Sequence, residues 1–236
     1  MTSERYQFIQ HLGDGQYGQS AQYLDSISSN SVVIKKMHLS SETQRKAASS
    51  VIELLQKIKS PYLINIIETF QNENEFSIVT EFCSQGSLQK YIDEQKEMNI
   101  NIQQQEIDSL IISISESVEF LHKQKIFHRN LKPTNIFFSD DRKIIKLGEY
   151  GIARLFQNQS KDVDVFCNVN PYTAPEALEG KMYNDKSDLY SLGVIIYQIV
   201  EGKLPFYSES KEQLAQIKTI HHHLRNSKMS NYSNSF

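Results

Sequence analysis

The feature that most restricts the fold is a group of glycines near the N-terminus, spaced Gly13-x-Gly15-x-x-Gly18. Alone this spacing is a weak signal, because glycine-rich turns are common and an ordinary hairpin would also explain it. Its flanks are more informative. The alternating segment Tyr6–Gln10 predicts a strand before the glycines, and residues 21–24 predict a strand after them. A dinucleotide-binding fold needs a helix there, so the strand–loop–strand order argues against that fold.

The remainder of the first third is also rich in strand patterns. Val32–Lys35, residues 63–69 and residues 75–82 predict three further strands. A helix is predicted between them, with a cap within Ser40–Thr43 and an end near Lys59, because the following Ser-Pro pair cannot continue it.

The chain becomes helical after Gly86. Apolar residues at helix spacing between Leu110 and Leu121 predict a buried helix, and the apolar run Leu189–Val200 predicts a central one. We therefore expect an α+β fold with two lobes, a strand-rich N-lobe over residues 4–83 and a helical C-lobe over residues 84–220.

Composition narrows the function classes. A net charge of -3 gives no electrostatic reason to expect nucleic acid or membrane as a partner. Cys83 and Cys167 are far apart in sequence and form no metal-ligand pair, which favours a reduced intracellular protein. The polar N-terminus shows no signal peptide, and no apolar run reaches the length of a membrane span. We expect a cytoplasmic protein.

The most informative segment for function is His128–Asn135, with the sequence His-Arg-Asn-Leu-Lys-Pro-Thr-Asn. They resemble the catalytic loop of the protein kinases, His-Arg-Asp-Leu-x-x-x-Asn. Asn130 replaces the aspartate that accepts the substrate proton in that family, and a neutral amide has no basicity for this step. A lysine two residues after this position, here Lys132, is typical of the serine/threonine class of kinases. The resemblance therefore implies two catalytic positions, Asn130 and Lys132.

The resemblance also implies a nucleotide pocket. In the family the glycines close over the ATP phosphates and a third-strand lysine, here Lys35, contacts the α- and β-phosphates. Val33 is larger than the usual alanine and Ser20 replaces an apolar residue of the roof, so the slot is compatible with a purine but not optimised for one. The positions that match the pocket are Leu12, Gly13, Gly15, Gly18, Val33, Lys35, Thr80, Glu81, Cys83 and Phe137.

The glutamate that holds this lysine in active kinases is not found at its expected place. Counting back from Ser60-Pro61 puts Val51 there. Glu53 lies two residues further, roughly 200° around the helix, and is expected to face away. Lys35 is therefore predicted to be held less firmly, unless the count is shifted by an error in the helix boundary.

The metal end departs from the family as well. In residues 144–154, which resemble the segment carrying Asp-Phe-Gly, Glu149 stands for the aspartate and Tyr150 for the phenylalanine. Asn135 and Glu149 would be the Mg²⁺ ligands by resemblance, but the extra methylene of Glu149 is a handicap for strict octahedral geometry. Tyr150 is expected to pack like phenylalanine, with a partner for its hydroxyl if that is buried.

Three segments look most like the NIMA-related kinases: residues 135–137, residues 146–148 with 151–154, and residues 183–188. Ala174-Pro175-Glu176 matches the end of the activation segment, and Asp188 matches an aspartate that supports the catalytic-loop backbone. Phe166 stands where the family has a phosphorylatable threonine. Asp162 or Asp164 would offer Arg129 a constant negative charge, although merely solvated acids are the more common explanation.

The resemblance covers about residues 5–220 and lacks the later helices, so we expect a truncated C-lobe in which Glu176 lacks its arginine partner. Residues 221–236 are expected to be a disordered tail, and the three histidines that open it to be solvated rather than metal ligands.

Two functional hypotheses follow. In the first, the chain is a pseudokinase that acts through a protein partner, with ATP and a weakened Mg²⁺ site as possible cofactors. In the second, it is a weakly active serine/threonine kinase that transfers the ATP γ-phosphate to protein hydroxyls. The changes at Asn130, Glu149, Val51 and Phe166 affect the base, the metal, the lysine anchor and the activation switch, which favours the pseudokinase.

Overall fold

The N-terminal lobe is built on one antiparallel sheet. The computed structural model describes residues 5–15, 18–39, 42–72, 75–142, 144–151, 170–208, 210 and 212–220. Five strands lie in the order β1-β2-β3-β5-β4. They are β1 (Tyr6–Gly15), β2 (Gly18–Asp25), β3 (Ser31–His38), β4 (Ile66–Gln71) and β5 (Glu75–Glu81).

The five predicted strands are all present, with shifted bounds. β1 continues through Gly13 and Gly15 rather than ending before the glycines, and it pairs with β2 up to Gly15 opposite Gly18. The strand predicted from residue 63 starts at Ile66, because Leu63 instead forms an isolated bridge to Leu147 in a second sheet.

Helix α1 (Glu42–Lys57) packs against the sheet through one apolar face. Its buried residues Ala48, Ile52 and Leu55 belong to the main core. The helix ends two residues before the predicted Lys59, and the predicted cap residues Ser40 and Ser41 lie outside the described residues.

The C-terminal lobe is helical, as predicted. Its helices are α2 (Leu88–Glu97), α3 (Gln104–Lys123), α4 (Pro175–Leu178), α5 (Asp185–Glu201) and α6 (212–220). A 3-10 turn (Pro133–Asn135) leads into a two-stranded sheet of β6 (Ile136–Phe138) and β7 (Ile145–Leu147). The α+β architecture with a strand-rich N-lobe and a helical C-lobe is confirmed.

The sequence sets both ends of the central helix α5. Asn184 and Ser187 form a capping box that satisfies backbone N–H groups at its start. Gly202 follows its end with a φ of 65°, a left-handed conformation that glycine adopts without a side-chain clash. Between these signals, Leu192, Ile195 and Ile199 are buried in the main core, which fixes the helix beside α3.

One run of backbone hydrogen bonds joins β7 to the N-terminal lobe. The amide of Ile64 donates to the carbonyl of Leu147 at 3.0 Å, and the amide of Leu147 donates to the carbonyl of Tyr62 at 2.9 Å. The amide of Gly148 then donates to the carbonyl of Asn135 at 2.8 Å. These bonds place the residue that follows, Glu149, between the two lobes and beside the catalytic loop.

Among the described residues, no helix combines the length and the apolar character needed to cross a bilayer. The predictions for Asp162, Asp164, Phe166, Cys167 and the tail 221–236 concern positions outside the described residues.

Candidate functional site

A buried carboxylate in the first turn of α5 holds the backbone of the catalytic loop. Asp188 is 0% exposed. Its Oδ2 accepts from the amide of His128 at 2.8 Å, and its Oδ1 accepts from the amide of Arg129 at 3.0 Å. The Tyr183 hydroxyl donates to Oδ1 at 2.6 Å, and His122 Nε2 lies 2.8 Å from Oδ2. The supporting role predicted for Asp188 is confirmed.

The same contacts fix the ionisation of this network. Burial alone would raise the pKa of Asp188, but hydrogen bonds, led by that from His122, outweigh it and hold the pKa below its ordinary value. His128 is completely buried, and this burial lowers its pKa despite the nearby charge of Asp188. A neutral imidazole therefore lies under the loop, and its Nδ1 accepts from the amide of Asn130 at 3.3 Å.

The backbone at Arg129 is left-handed, with a φ of 67°. This conformation is unfavourable for a residue with a side chain and persists only where surrounding contacts determine it. Here the two amides bound to Asp188 supply those contacts. The turn presents the following residue, Asn130, to the space between the lobes.

Asn130 acts as a hydrogen-bond donor in this structure. It is 6% exposed, and its Nδ2 donates to Glu149 Oε2 at 3.2 Å. Asn135, also buried, donates from its own Nδ2 to the backbone carbonyl of Asn130 at 2.8 Å. The catalytic loop is thus tied both to its own 3-10 turn and to the residue after β7.

The lysine of β3 is paired with the same glutamate. Lys35 is 7% exposed, and its Nζ forms an ion pair with Glu149 Oε1. Glu149 is half-buried and has a φ of 57°, again in the left-handed region. Both oxygens of one carboxylate therefore carry hydrogen bonds, one from the lysine and one from Asn130.

This ion pair corrects the expectation that Lys35 is held less firmly for want of a partner. On α1, Val51 is half-buried and Glu53 is exposed, so Glu53 does face away as predicted. The partner comes instead from a residue 114 positions away in sequence. The sequence around Glu149 gives no signal for this contact.

Gly15, the last residue of β1, lies close to this pair. A Cβ added to Gly15 would be 3.4 Å from Lys35 Nζ and 4.0 Å from Glu149 Oε1. Gly18 has a φ of 136°, and a Cβ there would be 1.9 Å from the carbonyl oxygen of Lys36, so only glycine fits. Gly13 lies in β1 beside the exposed Leu12.

The predicted adenine end is assembled from both lobes. Val33 and Thr80 face each other in the register of β3 and β5. Cys83 is buried, which raises the pKa of its thiol to about 11. Phe137 is half-buried and packs against Gly148, where a Cβ would meet its ring at 2.9 Å. The nucleotide-contacting roles of these residues stay predictions.

The carboxylate of Glu81, a predicted nucleotide-pocket residue, forms hydrogen bonds with protein groups. It accepts from the amide of Asn65 at 2.7 Å and from Lys146 Nζ at 2.6 Å. Both contacts tie the segment between the lobes to neighbouring strands. The backbone of Glu81 donates to the carbonyl of Asn65, at 3.1 Å.

Of the two side chains expected to bind Mg²⁺, only Asn135 is oriented for that role. Its amide nitrogen donates to a carbonyl, which leaves its Oδ1 as the oxygen that would bind the metal, whereas both oxygens of Glu149 already accept hydrogen bonds. In the described part of the chain, no group of three or more His, Cys, Asp or Glu residues is placed to hold a metal ion. A magnesium ion would require Glu149 to leave Lys35, so the site stays a prediction.

Tyr150 takes the place predicted for a phenylalanine. It is 3% exposed within the main core, and its hydroxyl donates to the carbonyl of Ile64 at 3.2 Å. Burial raises the pKa of this phenol above its ordinary value. The expectation that a buried hydroxyl would have a partner is confirmed.

Two contacts near the activation-segment end were missed by sequence reasoning. The half-buried Glu176, expected to lack a partner, accepts from the Ser187 hydroxyl at 2.6 Å. Lys218 on α6 is 1% exposed and donates from Nζ to the carbonyl of Thr173 at 2.6 Å. Lys132, the other predicted catalytic residue, is half-buried.

Comparisons with known proteins agree with this architecture. The protein kinase domain model matches residues 6–236. The human serine/threonine-protein kinase Nek5 is 30% identical over 213 residues, which cover 89% of this chain and 30% of Nek5. Mouse Nek3 is 32% identical over 212 residues, 89% of this chain and 40% of Nek3. The human NUAK family SNF1-like kinase 1 is 31% identical over 206 residues, 86% of this chain and 30% of that kinase.

The chain thus spans about a third of the length of these relatives. The predicted similarity to NIMA-related kinases is confirmed, and the NUAK match shows that the likeness extends beyond them. Together with the two lobes and the supported catalytic loop, the match over residues 6–236 establishes that the chain belongs to the protein kinase domain family.

Proposed function

We propose that this kinase domain is a pseudokinase, which acts through contacts with a protein partner and does not transfer phosphate. One observation carries the proposal. Residue 130 donates an N–H to Glu149, whereas phosphoryl transfer to a hydroxyl uses an acceptor at this position. An amide has no lone pair basic enough to take up the hydroxyl proton.

The engagement of Lys35 supports the same proposal. In active kinases the lysine is held by a glutamate on the helix and is directed at the nucleotide phosphates. Here its ammonium is neutralised by Glu149, the residue that would otherwise be a metal ligand. The base position, the lysine and the predicted metal ligand thus satisfy one another.

The retained support of the loop suits a binding module. Asp188 still fixes the backbone of His128 and Arg129, so the loop keeps one defined shape. A defined surface is sufficient for recognition of a protein partner, which needs no proton transfer. Nucleotide binding remains part of the proposal as an optional ligand of the pocket, and a cytoplasmic location is the environment that we propose for it.

A transfer assay tests the proposal. The purified chain is incubated with labelled ATP, Mg²⁺ or Mn²⁺ and a generic protein substrate, beside an active serine/threonine kinase. We expect no label on the substrate or on the chain itself. Transfer that is robust and disappears in Lys35→Ala would contradict the proposal and establish the alternative, a weakly active serine/threonine kinase.

The alternative has one specific observation in its favour. Lys132 and Asn135 occupy their family positions beside a correctly supported loop, and positioning alone contributes much of phosphoryl transfer. Under the pseudokinase proposal, Asn130→Asp alone does not create activity, because Glu149 still stands at the metal-ligand position and α1 still lacks a glutamate to hold Lys35. Activity in that variant would show that the base is the only missing group.

A further inference from the structure

The carboxylate of Glu149 occupies the contact that a ligand phosphate would need. Lys35 is 7% exposed, so the ammonium offers little surface beyond its present contacts. An anion that binds Lys35 Nζ therefore competes with Glu149 Oε1. The carboxylate also has an advantage, because it is attached to the same chain and its effective concentration at the lysine is high.

Two features hold this carboxylate in place. Asn130 Nδ2 donates to its second oxygen at 3.2 Å. The backbone at Glu149 is left-handed, with a φ of 57°, between the buried Gly148 and Tyr150. Gly15 lies close by, since a Cβ added there would be 4.0 Å from Oε1. The glutamate is thus held by a side-chain hydrogen bond and by its own backbone.

Displacement of Glu149 would leave an electrostatic penalty. A triphosphate on Lys35 would lie beside a carboxylate that has lost its cation, and like charges a few ångströms apart in a half-buried site repel strongly. The free energy of phosphate binding therefore depends on the charge at position 149.

We propose that Glu149 is a tethered competitor for phosphate groups at Lys35, which closes the site to metal-free nucleotide. This proposal rests on the proposed function, because it concerns the same nucleotide pocket. It adds that Glu149 controls the binding of phosphate groups there. Removal of the charge at position 149 should open the lysine to the triphosphate of a nucleotide without any divalent cation.

Binding of ATP in EDTA to Glu149→Gln tests this directly. Glutamine keeps the length of the side chain and its hydrogen-bonding oxygen but loses the negative charge. We expect the variant to bind ATP at least about tenfold more tightly than the wild type, by calorimetry or thermal shift. Inorganic tripolyphosphate should show a gain of the same direction, because the gain comes from the phosphates and not from the adenine.

Two further variants assign the effect. Glu53→Gln removes an exposed carboxylate from α1 and should leave ATP binding unchanged, which controls for net charge. Lys35→Met combined with Glu149→Gln should abolish the gain. If the gain survives in that double variant, phosphate binds elsewhere and the proposal is overturned.

The proposal is also overturned if folded Glu149→Gln binds ATP in EDTA no more tightly than the wild type does. Circular dichroism establishes folding. Should Glu149→Gln not fold, Asn130→Ala serves instead: it loosens Glu149 and should give a smaller gain, and no gain there overturns the proposal. These are binding measurements, so their failure is distinct from the detection of phosphate transfer, which would contradict the proposed function.

Discussion

Two carboxylates beside the catalytic loop have opposite relations to function. Asp188 is fully buried and binds the backbone amides of His128 and Arg129, groups that define the shape of the loop. Glu149 is half-buried and binds the side chains of Lys35 and Asn130, groups that would otherwise face a substrate or nucleotide. Asp188 preserves the shape of the loop, and Glu149 occupies the side chains that would otherwise contact a substrate or nucleotide. The shape of a kinase site and its chemistry are therefore carried by separate groups.

The largest expected effect is a loss of stability on substitution of Asp188. Asp188→Asn should lower the free energy of unfolding by about 3 kcal/mol, because an amide cannot accept from all the buried donors that now converge on the carboxylate. Urea denaturation measures this. The matched control is Asp185→Asn, an exposed acid in the same first turn of α5, with an expected loss of about 0.5 kcal/mol. Equal losses in the two variants would contradict the role of Asp188.

The second effect is a loss of stability in acid that depends on His128. Burial lowers the pKa of His128, so below about 6.5 the unfolded chain binds a proton that the folded chain does not. The free energy of unfolding should therefore fall as the pH drops, with a limiting slope of about 1.4 kcal/mol per pH unit for one proton.

Denaturation of the wild type and of His128→Phe at several pH values between neutral and mildly acidic isolates this contribution. The variant should show a shallower pH dependence, because its position 128 no longer titrates. Both proteins retain the other histidines, so the difference between their slopes reports His128 alone. Identical slopes would show that folding leaves the pKa of His128 unchanged, which would contradict the effect of burial.

The smallest effect concerns the link between the lobes. Tyr150→Phe removes the hydroxyl that donates to the carbonyl of Ile64 and keeps the packed ring. The expected loss is about 1 kcal/mol of unfolding free energy, the usual net value of one buried hydrogen bond. Thermal and urea denaturation measure it. A variant as stable as the wild type would mean that this bond contributes shape but no net stability.

Sequence reasoning predicted the fold well because its signals are local. The alternation in Tyr6–Gln10, the helix spacing from Leu110 and the apolar run Leu189–Val200 each determine a nearby piece of backbone. The role of Asp188 and the buried hydroxyl of Tyr150 also followed, since each position matches a motif whose geometry is shared across the family.

The contacts of the site were harder to predict because they join distant segments. The family pattern predicts the partner of Lys35 on α1, the next helix in the chain, whereas the partner in the structure is Glu149, which follows β7. Nothing in the local sequence distinguishes a glutamate that binds metal from one that binds lysine. Lys218 illustrates the same limit, since the sequence of α6 gives no sign that this lysine is buried against Thr173.

The separation of shape from chemistry is tested most directly by a double-mutant cycle at positions 130 and 149. Asn130→Asp places a carboxylate against Glu149 Oε2, where an amide now donates at 3.2 Å, and should destabilise the protein by about 1–3 kcal/mol. In the Glu149→Gln background the same change should cost little, because the glutamine amide can donate to the new carboxylate. The cycle should therefore give a coupling free energy of at least about 1 kcal/mol. Additive effects, within about 0.5 kcal/mol, would show that Asn130 and Glu149 do not act as a unit.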